Sequence, residues 1–372
     1  MLKIGITGQA GFVGTHLYNT IGLFTEEFIR VDFQKEMFED VNKLNAFVGD
    51  CDVIVHLAAM NRHNDPQVIY DTNIGLVQKL VKALKSTGSK AHVLFSSSTQ
   101  EERDNLYGKS KKVGRELMID WAKTDGGKFT GMIIPNVFGP FGHPNYNSVV
   151  ATFCHKLSHN EIPVIEVDGD MKLIYVGELV NVILAEIRNN EGNPEILVAH
   201  TSESKVSQLL LLLESYKKQY QDGGIIPSIN NTFELNLFNT FRCYMDIANH
   251  FPVKFIEHTD PRGSFVEIIR LGVGGQVSFS TTVPGITRGN HYHTRKIERF
   301  AVIKGKALIQ LRRIGTDEVL DFYLDGNEPA YVDMPIWYTH NIKNIGEDVL
   351  YTNFWINEFY DSNDPDTYFE NV

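Results

Sequence analysis

The segment LKIGITGQAGFVG, residues 2–14, constrains the fold more than any other stretch of the chain. A β-rich run of six residues stops at Gly8. Gly8, Gly11 and Gly14 then recur at three-residue spacing and open the helix-like FVGTHLYNTIG. A strand that turns on glycines into a helix is the first unit of a parallel α/β sheet. The glycines let the backbone turn tightly and approach a pyrophosphate, whose charge sits at the helix N-terminus. Gly8, Gly11, Phe12, Val13 and Gly14 are therefore candidate nucleotide contacts. Asp32 closes the next strand-like run, EFIRVD. An acid there accepts from the adenine-ribose hydroxyls and repels a 2′-phosphate, favouring NADH; Lys35 close by offsets that charge.

Strand-like CDVIVHLAA (51–59), AHVLFSSS (91–98) and FTGMIIPNVFGP (129–140) alternate with helical NIGLVQKLVKALKS, VGELVNVILAEIRNN (176–190) and VSQLLLLLESYKKQY (206–220). The alternation predicts a doubly wound Rossmann-like parallel sheet. A turn-rich stretch at 221–231 follows. From about 250 the pattern becomes short β segments such as QVSFSTTV, RFAVIKGKALIQLRRI and VLYTNFWIN, which predict an all-β sandwich or small barrel. The chain has 372 residues, more than one compact core, and divides at 247/248 on this reading. A net charge of −11 opposes general binding to nucleic acid or an anionic membrane. No apolar run reaches membrane-spanning length. The three widely spaced cysteines read as thiols of a reducing compartment, so the chain is expected to be cytoplasmic.

Tyr107 and Lys111 stand at i and i+4 in NLYGKSKKVGREL, so on a helix they share a face. An ammonium beside a phenol lowers the phenol's pKa, which readies it for proton exchange with a carbonyl. The pair follows VLFSSS, whose C-terminal end faces the cofactor crevice. With the glycines, HLAA (56–59), Asn73 of NIGLV, SSS (96–98) and PNVFGP (135–140), residues 1 to about 245 resemble an extended short-chain dehydrogenase/reductase acting on nucleotide sugars. The resemblance implies Tyr107 as catalytic acid, Lys111 on the nicotinamide ribose and Ser98 polarising the substrate oxygen. It also implies Leu57, Ala58 and Ala59 on the cofactor, and Asn136, Asn145 and Asn147 on the substrate side. Eight residues separate Ser98 from Tyr107, fewer than in many relatives, so Ser97 and Thr99 stay open for the serine role.

In RGNHYHTRKIERF (288–300), strand periodicity aims His291 and His293 to one face, and Glu298 can return on the next strand. With Gly285, Gly305, Pro335, His340 and Asn344, the spacing resembles the two motifs of the cupin superfamily over about 250–372. That resemblance implies a divalent metal held by His291, His293, Glu298 and His340 inside a barrel. Three imidazoles and a carboxylate suit Zn2+, Fe2+, Ni2+ or Mn2+. Where the family has Pro-x-Gly, this chain has Pro335-Ile336-Trp337. DPRGSFVEI (260–268) resembles the first strand of cupin-like deoxysugar 3,5-epimerases, implying substrate contacts for Arg262 and Glu267.

The order reductase then metal cupin resembles a family of bifunctional capsular polysaccharide enzymes. It implies C3 epimerisation of a UDP-2-acetamido-2,6-dideoxy-4-hexulose and NADPH-dependent reduction at C4, giving UDP-N-acetyl-6-deoxy-L-talosamine, by a homodimer. A redox-neutral epimerase or dehydratase with bound NAD and a non-catalytic, dimerising cupin stays open as the alternative.

Overall fold

The computed structural model describes residues 1–372. The N-terminal half runs β1 (Leu2–Thr7), α1 (Phe12–Ile21), β2 (Phe28–Val31), α2 (Val41–Asp50), β3 (Val53–His56), α3 (Pro66–Thr87), β4 (His92–Ser98), α4 (Leu106–Asp125) and β5 (Lys128–Ile134). It continues through β6 (Asn136–Phe138), α5 (Val149–Ser158), β7 (Asp170–Tyr175), α6 (Val176–Asn189), β8 (Asn193–Leu197) and β9 (Ser202–Lys205). A six-stranded sheet, ordered β2-β1-β3-β4-β5-β8, pairs parallel throughout.

The strands are apolar on both faces because helices cover both. Ile4, Ile6, Val53 and Val55 pack with α1 and α6 through Leu17, Ile21, Leu179 and Ile183. Ile54, Val93 and Phe95 pack with α3 and α4 through Val77, Leu80, Met118 and Trp121. Strand order reverses beside β1, so the chain leaves β1 and β3 toward opposite faces and opens a crevice at their C-terminal ends. A small second sheet orders β6-β7-β9.

The chain continues as α7 (Val206–Tyr216), α8 (Thr232–Arg242) and α9 (Ile247–His250), followed by strands alone. These are β10 (Val253–Lys254), β11 (Glu257–Asp260), β12 (Gly263–Val266), β13 (Gln276–Thr282), β14 (Thr287–Tyr292), β15 (Glu298–Lys304), β16 (Lys306–Arg313), β17 (Val319–Asp325), β18 (Ala330–Met334), β19 (Tyr338–Asn344), β20 (Leu350–Ile356) and β21 (Tyr368–Phe369). Two antiparallel five-stranded sheets form, β10-β18-β15-β20-β13 and β17-β16-β19-β14-β21. Val302 and Val332 of the first share one core with Ile309, Leu311 and Ile342 of the second. The β-rich region is thus two sheets around a common core, and no continuous ladder closes them into a barrel. The hairpin β11–β12 pairs with no other strand.

Two compact units result: Met1–Val150 with Val167–Val206, and Ala151–Glu166 with Ser207–Val372. In the second unit the helices are tied to the first of the two sheets by buried charge. Arg299 of β15 binds Asp333 of β18 in a fork, at 2.7 and 2.9 Å. The Tyr220 hydroxyl donates to the same carboxylate at 2.8 Å, and Arg242 Nε donates to Tyr220 at 3.2 Å. All three cysteines are free. No helix is long and apolar enough to cross a membrane.

Candidate functional site

The glycine turn after β1 is required by space. Gly8 has φ +79°, and a Cβ there would lie 2.8 Å from the Ala58 backbone nitrogen. A Cβ on Gly14 would lie 2.2 Å from the Gly8 carbonyl oxygen. Gly11 N–H closes the turn onto that carbonyl at 2.9 Å, and α1 begins with Phe12 and Val13 with no side chain capping its first N–H groups. A polar, anionic group can take that place. The turn therefore lies directly against the segment Leu57–Ala59 that leaves β3. Asn73 of α3 holds the continuation of that segment, accepting from Met60 N–H at 2.7 Å and donating to the Met60 carbonyl at 3.0 Å. Asp32, one residue past β2, accepts from the Tyr18 hydroxyl at 2.6 Å, and the Arg30 guanidinium lies over the Tyr18 ring.

Ser98 ends β4, and Tyr107 stands in the first turn of α4. Burial pushes the Tyr107 phenol up to about 12, opposed by its hydrogen bond with Ser98. Of the three candidates for the serine role, Ser98 meets Tyr107. Ser97 instead donates to Glu101, which Arg115 grips in a fork at 3.0 and 2.7 Å. That fork holds the short 99–105 connection against α4, where a Cβ on Gly108 would collide with the Gln100 carbonyl at 1.9 Å. Lys111 is buried beneath, its ammonium donating to the Ser96 carbonyl at 2.9 Å and lying 5.8 Å from the Tyr107 ring centroid. Burial lowers it to about 8, with Glu101 pulling the other way.

The expected lowering of the phenol by the lysine is thus corrected. Desolvation dominates Tyr107 in the protein alone, and the lysine's charge is directed to a carbonyl. The phenol is accordingly protonated at neutral pH, the state a proton donor needs.

The asparagines expected on the substrate side are less tightly grouped. Asn136 is exposed and donates to the Lys172 carbonyl at 3.2 Å. Asn145, at φ +58°, and Asn147 lie in the exposed loop before α5. Arg62 donates to the carbonyls of Asn145 and Tyr146 at 2.7 and 3.1 Å, and the Tyr146 hydroxyl accepts from Asn61 N–H at 3.2 Å. Tyr146 also approaches Tyr107 closely enough to raise its phenol. Sequence reading passed over Arg62 and Tyr146, since a lone arginine and tyrosine in loops carry no periodic signal.

In the second unit the ligand atoms of His291, His293, Glu298 and His340 all lie within 4.8 Å of one another. A bulge between Gly289 and His291 shifts the β14–β19 register, with Asn290 at φ +60°. Such a bulge re-aims side chains, and here His291 comes opposite His340. Glu298 is the first residue of β15. Its Oε2 lies 3.3 Å from His293 Nε2 and 3.1 Å from His340 Nε2. The latter nitrogen is buried and has no aligned hydrogen bond.

Each imidazole gives its other side to a backbone carbonyl: His340 Nδ1 to Tyr338 at 3.2 Å, His293 Nδ1 to Asp366 at 2.5 Å, and His291 to Gly289. Burial alone would raise the Glu298 carboxyl, but His293 and His340 hold it well below the usual carboxylate range. Burial and the adjacent His340 lower His291 to about 4; the Glu298 contact outweighs burial and raises His293. Three nitrogens and a carboxylate converging in a buried place, with one nitrogen unsatisfied, fit a divalent cation. Arg262 and Glu267 are not joined to this cluster. Each is exposed and paired with a near neighbour, Arg262 with Asp260 at 2.6 Å and Glu267 with Arg270 at 2.7 Å.

Residues 4–199 match the model of the NAD dependent epimerase/dehydratase family. The chain belongs to that family. Residues 258–368 of this family member match the polysaccharide biosynthesis C-terminal domain. Over its whole length it is similar to the UDP-2-acetamido-2,6-beta-L-arabino-hexul-4-ose reductase of Pseudomonas aeruginosa, 32% identical across 99% of this chain and 98% of that one. It is similar also to the solved structure of the capsular polysaccharide assembling protein CapF from Staphylococcus aureus. That likeness has 35% identity, a TM-score of 0.62, and covers 99% of this chain and 100% of the other. The spore coat polysaccharide biosynthesis protein SpsL of Bacillus subtilis is 27% identical over 30% of this chain and 82% of its own. The resemblance to the bifunctional capsular enzymes thus covers both units of this epimerase/dehydratase family member, and a nicotinamide nucleotide is its cofactor class.

Proposed function

We propose that the chain epimerises C3 of a UDP-2-acetamido-2,6-dideoxy-4-hexulose and then reduces its C4 ketone, yielding UDP-N-acetyl-6-deoxy-L-talosamine. The observation that carries the reading is the Tyr107 phenol hydrogen-bonded to Ser98 above buried Lys111. When bound there, NADPH would supply the hydride to C4. Tyr107 gives its proton to the C4 oxygen as charge develops on it, and Ser98 orients that oxygen by a second hydrogen bond. Lys111 then has a role on the nicotinamide ribose. Gly8, Gly11, Phe12, Val13, Gly14 and Leu57–Ala59 form the dinucleotide cradle, and Asp32 meets the adenine ribose.

Asn136 of β6 and the loop residues Asn145 and Asn147 face the sugar nucleotide on this reading, and Arg262 and Glu267 meet it in the second unit. The functional division falls at 247/248, with a cupin following the reductase. Its residues His291, His293, Glu298 and His340 would hold Zn2+ or another divalent ion. That ion would supply Lewis-acid polarisation of the substrate carbonyl, or cross-link the two sheets. A C3–H next to the C4 ketone is acidic because its carbanion is an enolate. Removing that proton and returning it from the other face inverts C3. Epimerisation leaves a mixture, and reduction at C4 removes the ketone that permits it, trapping one epimer.

A cytoplasmic homodimer completes the proposal. The edge strand β13, with Val277 55% and Phe279 70% exposed, supports a second copy as partner.

Tyr107→Phe is expected to lower NADPH-dependent reduction by about 10²–10⁴-fold while solvent deuterium still enters C3. Reduction at the wild-type rate in that variant, or loss of exchange with reduction intact, rejects the assignment. His291→Ala is expected to lower the metal content measured by mass spectrometry; unchanged stoichiometry rejects the metal site.

A further inference from the structure

The three imidazoles of the candidate metal centre are oriented in different ways. His291 and His340 each use a carbonyl two residues away on their own strand, so their orientation is local. His293 stands just past the end of β14, and its Nδ1 meets a carbonyl 73 residues further along the chain, that of Asp366. A carbonyl only accepts, so the proton is on Nδ1 and the Nε2 lone pair is free to turn toward Glu298 and a cation.

Asp366 is itself held by an unusual set of contacts. It is buried, at φ +40°, in the left-handed region that a residue with a side chain seldom takes. Its carboxylate accepts from Thr294 N–H at 3.0 Å and the Thr294 hydroxyl at 2.7 Å through one oxygen. The other oxygen accepts from Arg295 N–H at 3.0 Å and Lys296 N–H at 3.1 Å. Those are three of the four residues that join His293 to Glu298. One side chain therefore fixes the connection between two candidate ligands, while the backbone of the same residue orients one of them. The strap around it is fastened separately. Lys296 donates to the Pro365 carbonyl at 2.7 Å, β21 pairs with β14 at His291 and Tyr292, and Glu370 N–H donates to the Asn290 carbonyl at 3.0 Å.

We infer that Asp366 is a positioning residue of the metal centre: it locks the 294–296 turn and sets the tautomer and direction of His293, so the cation's affinity depends on the C-terminal strap. The inference rests on the metal reading of the quartet. Partners behind a metal-bound histidine change affinity by about 10–100-fold.

The test uses the full chain and Zn2+, with affinity read by competition against a chromophoric chelator. Asp366→Ala is expected to weaken Zn2+ binding by about 10–100-fold at unchanged stoichiometry. Asp366→Asn, which keeps one side-chain oxygen, is expected to fall between. With Co2+ in place of Zn2+, the visible ligand-field bands of Asp366→Ala should shift, which a strap acting only on overall stability would not cause. Wild-type affinity and an unshifted Co2+ spectrum in Asp366→Ala overturn the inference while leaving the metal centre intact. Failure of the wild-type chain to take up Zn2+ overturns both. Should the alanine variant not fold, long-range 1H–15N correlation in the zinc-loaded wild-type chain decides. A proton on His293 Nδ1 supports the inference, and one on Nε2 overturns it.

Discussion

At Gly8 a single hydrogen in place of a methyl group decides whether the turn after β1 can take its shape against Ala58. The φ of +79° and the 2.8 Å approach to the Ala58 nitrogen act together, so Gly8→Ala should cost about 1–3 kcal/mol of stability. It should also abolish measurable NADPH binding, checked by denaturant titration and by fluorescence of the bound dinucleotide. Elsewhere in the same unit a buried imidazole makes stability depend on pH. Burial, helped by the Lys111 charge, lowers His56 from 6.5 to about 3. Between those values the unfolded chain binds the extra proton, so stability rises with pH and is lost as pH falls below 6.5. At pH 5 the loss from His56 is about 2 kcal/mol, expected as a lower melting temperature than at pH 7.5. His56→Asn should flatten that dependence. Legibility at this scale was uneven. The glycine turn, the shared face of Tyr107 and Lys111 and the grouping of His291, His293, Glu298 and His340 were readable because spacing reports them. The protonated state of Tyr107 was not, because it follows from burial, which spacing does not encode.

Individual elements were read well where one period dominates. β1 spans the six residues expected, and α6 coincides with VGELVNVILAEIRNN to within a residue. The bulge in β14 was invisible, because an Asn at left-handed φ is one residue among many asparagines. Trp337 is the reverse case: the sequence showed a departure from Pro-x-Gly, and the structure shows how it is accommodated. Trp337 takes φ +62°, as a glycine would, and its ring stacks on Tyr292 at 5.7 Å. Trp337→Gly should relieve the backbone but forfeit the stacked ring. Large buried aromatics lose about 3–5 kcal/mol when truncated, so net destabilisation in thermal melts is expected. On the β15–β18 ladder the Arg299–Asp333 fork is fully buried. Removing one partner strands the other charge, so Arg299→Ala should cost about 3–5 kcal/mol in the second unit.

For the whole molecule, the change from α/β to all-β near residue 250 was legible, since helical periodicity stops there. The grouping of the helices before it was not. Tyr220 and Arg242 lie in sequence that reads as continuing the first half, yet their polar groups are spent on Asp333 and the Met334 carbonyl. A fragment 151–372, which keeps all of these partners, is therefore expected to aggregate less than 248–372, which lacks them; light scattering of the two compares them. The same interleaving bears on synthesis. The polypeptide passes between its compact units three times, after residues 150, 166 and 206. On the ribosome the first unit cannot close until residue 206 has emerged. By then residues 151–166 are already exposed, awaiting contacts such as that of Ser158 with the Tyr244 carbonyl. No single proteolytic nick, or single break in the gene, parts the two units cleanly: a cut after 150 or after 206 leaves one unit whole but carrying a piece of the other, and the other unit incomplete.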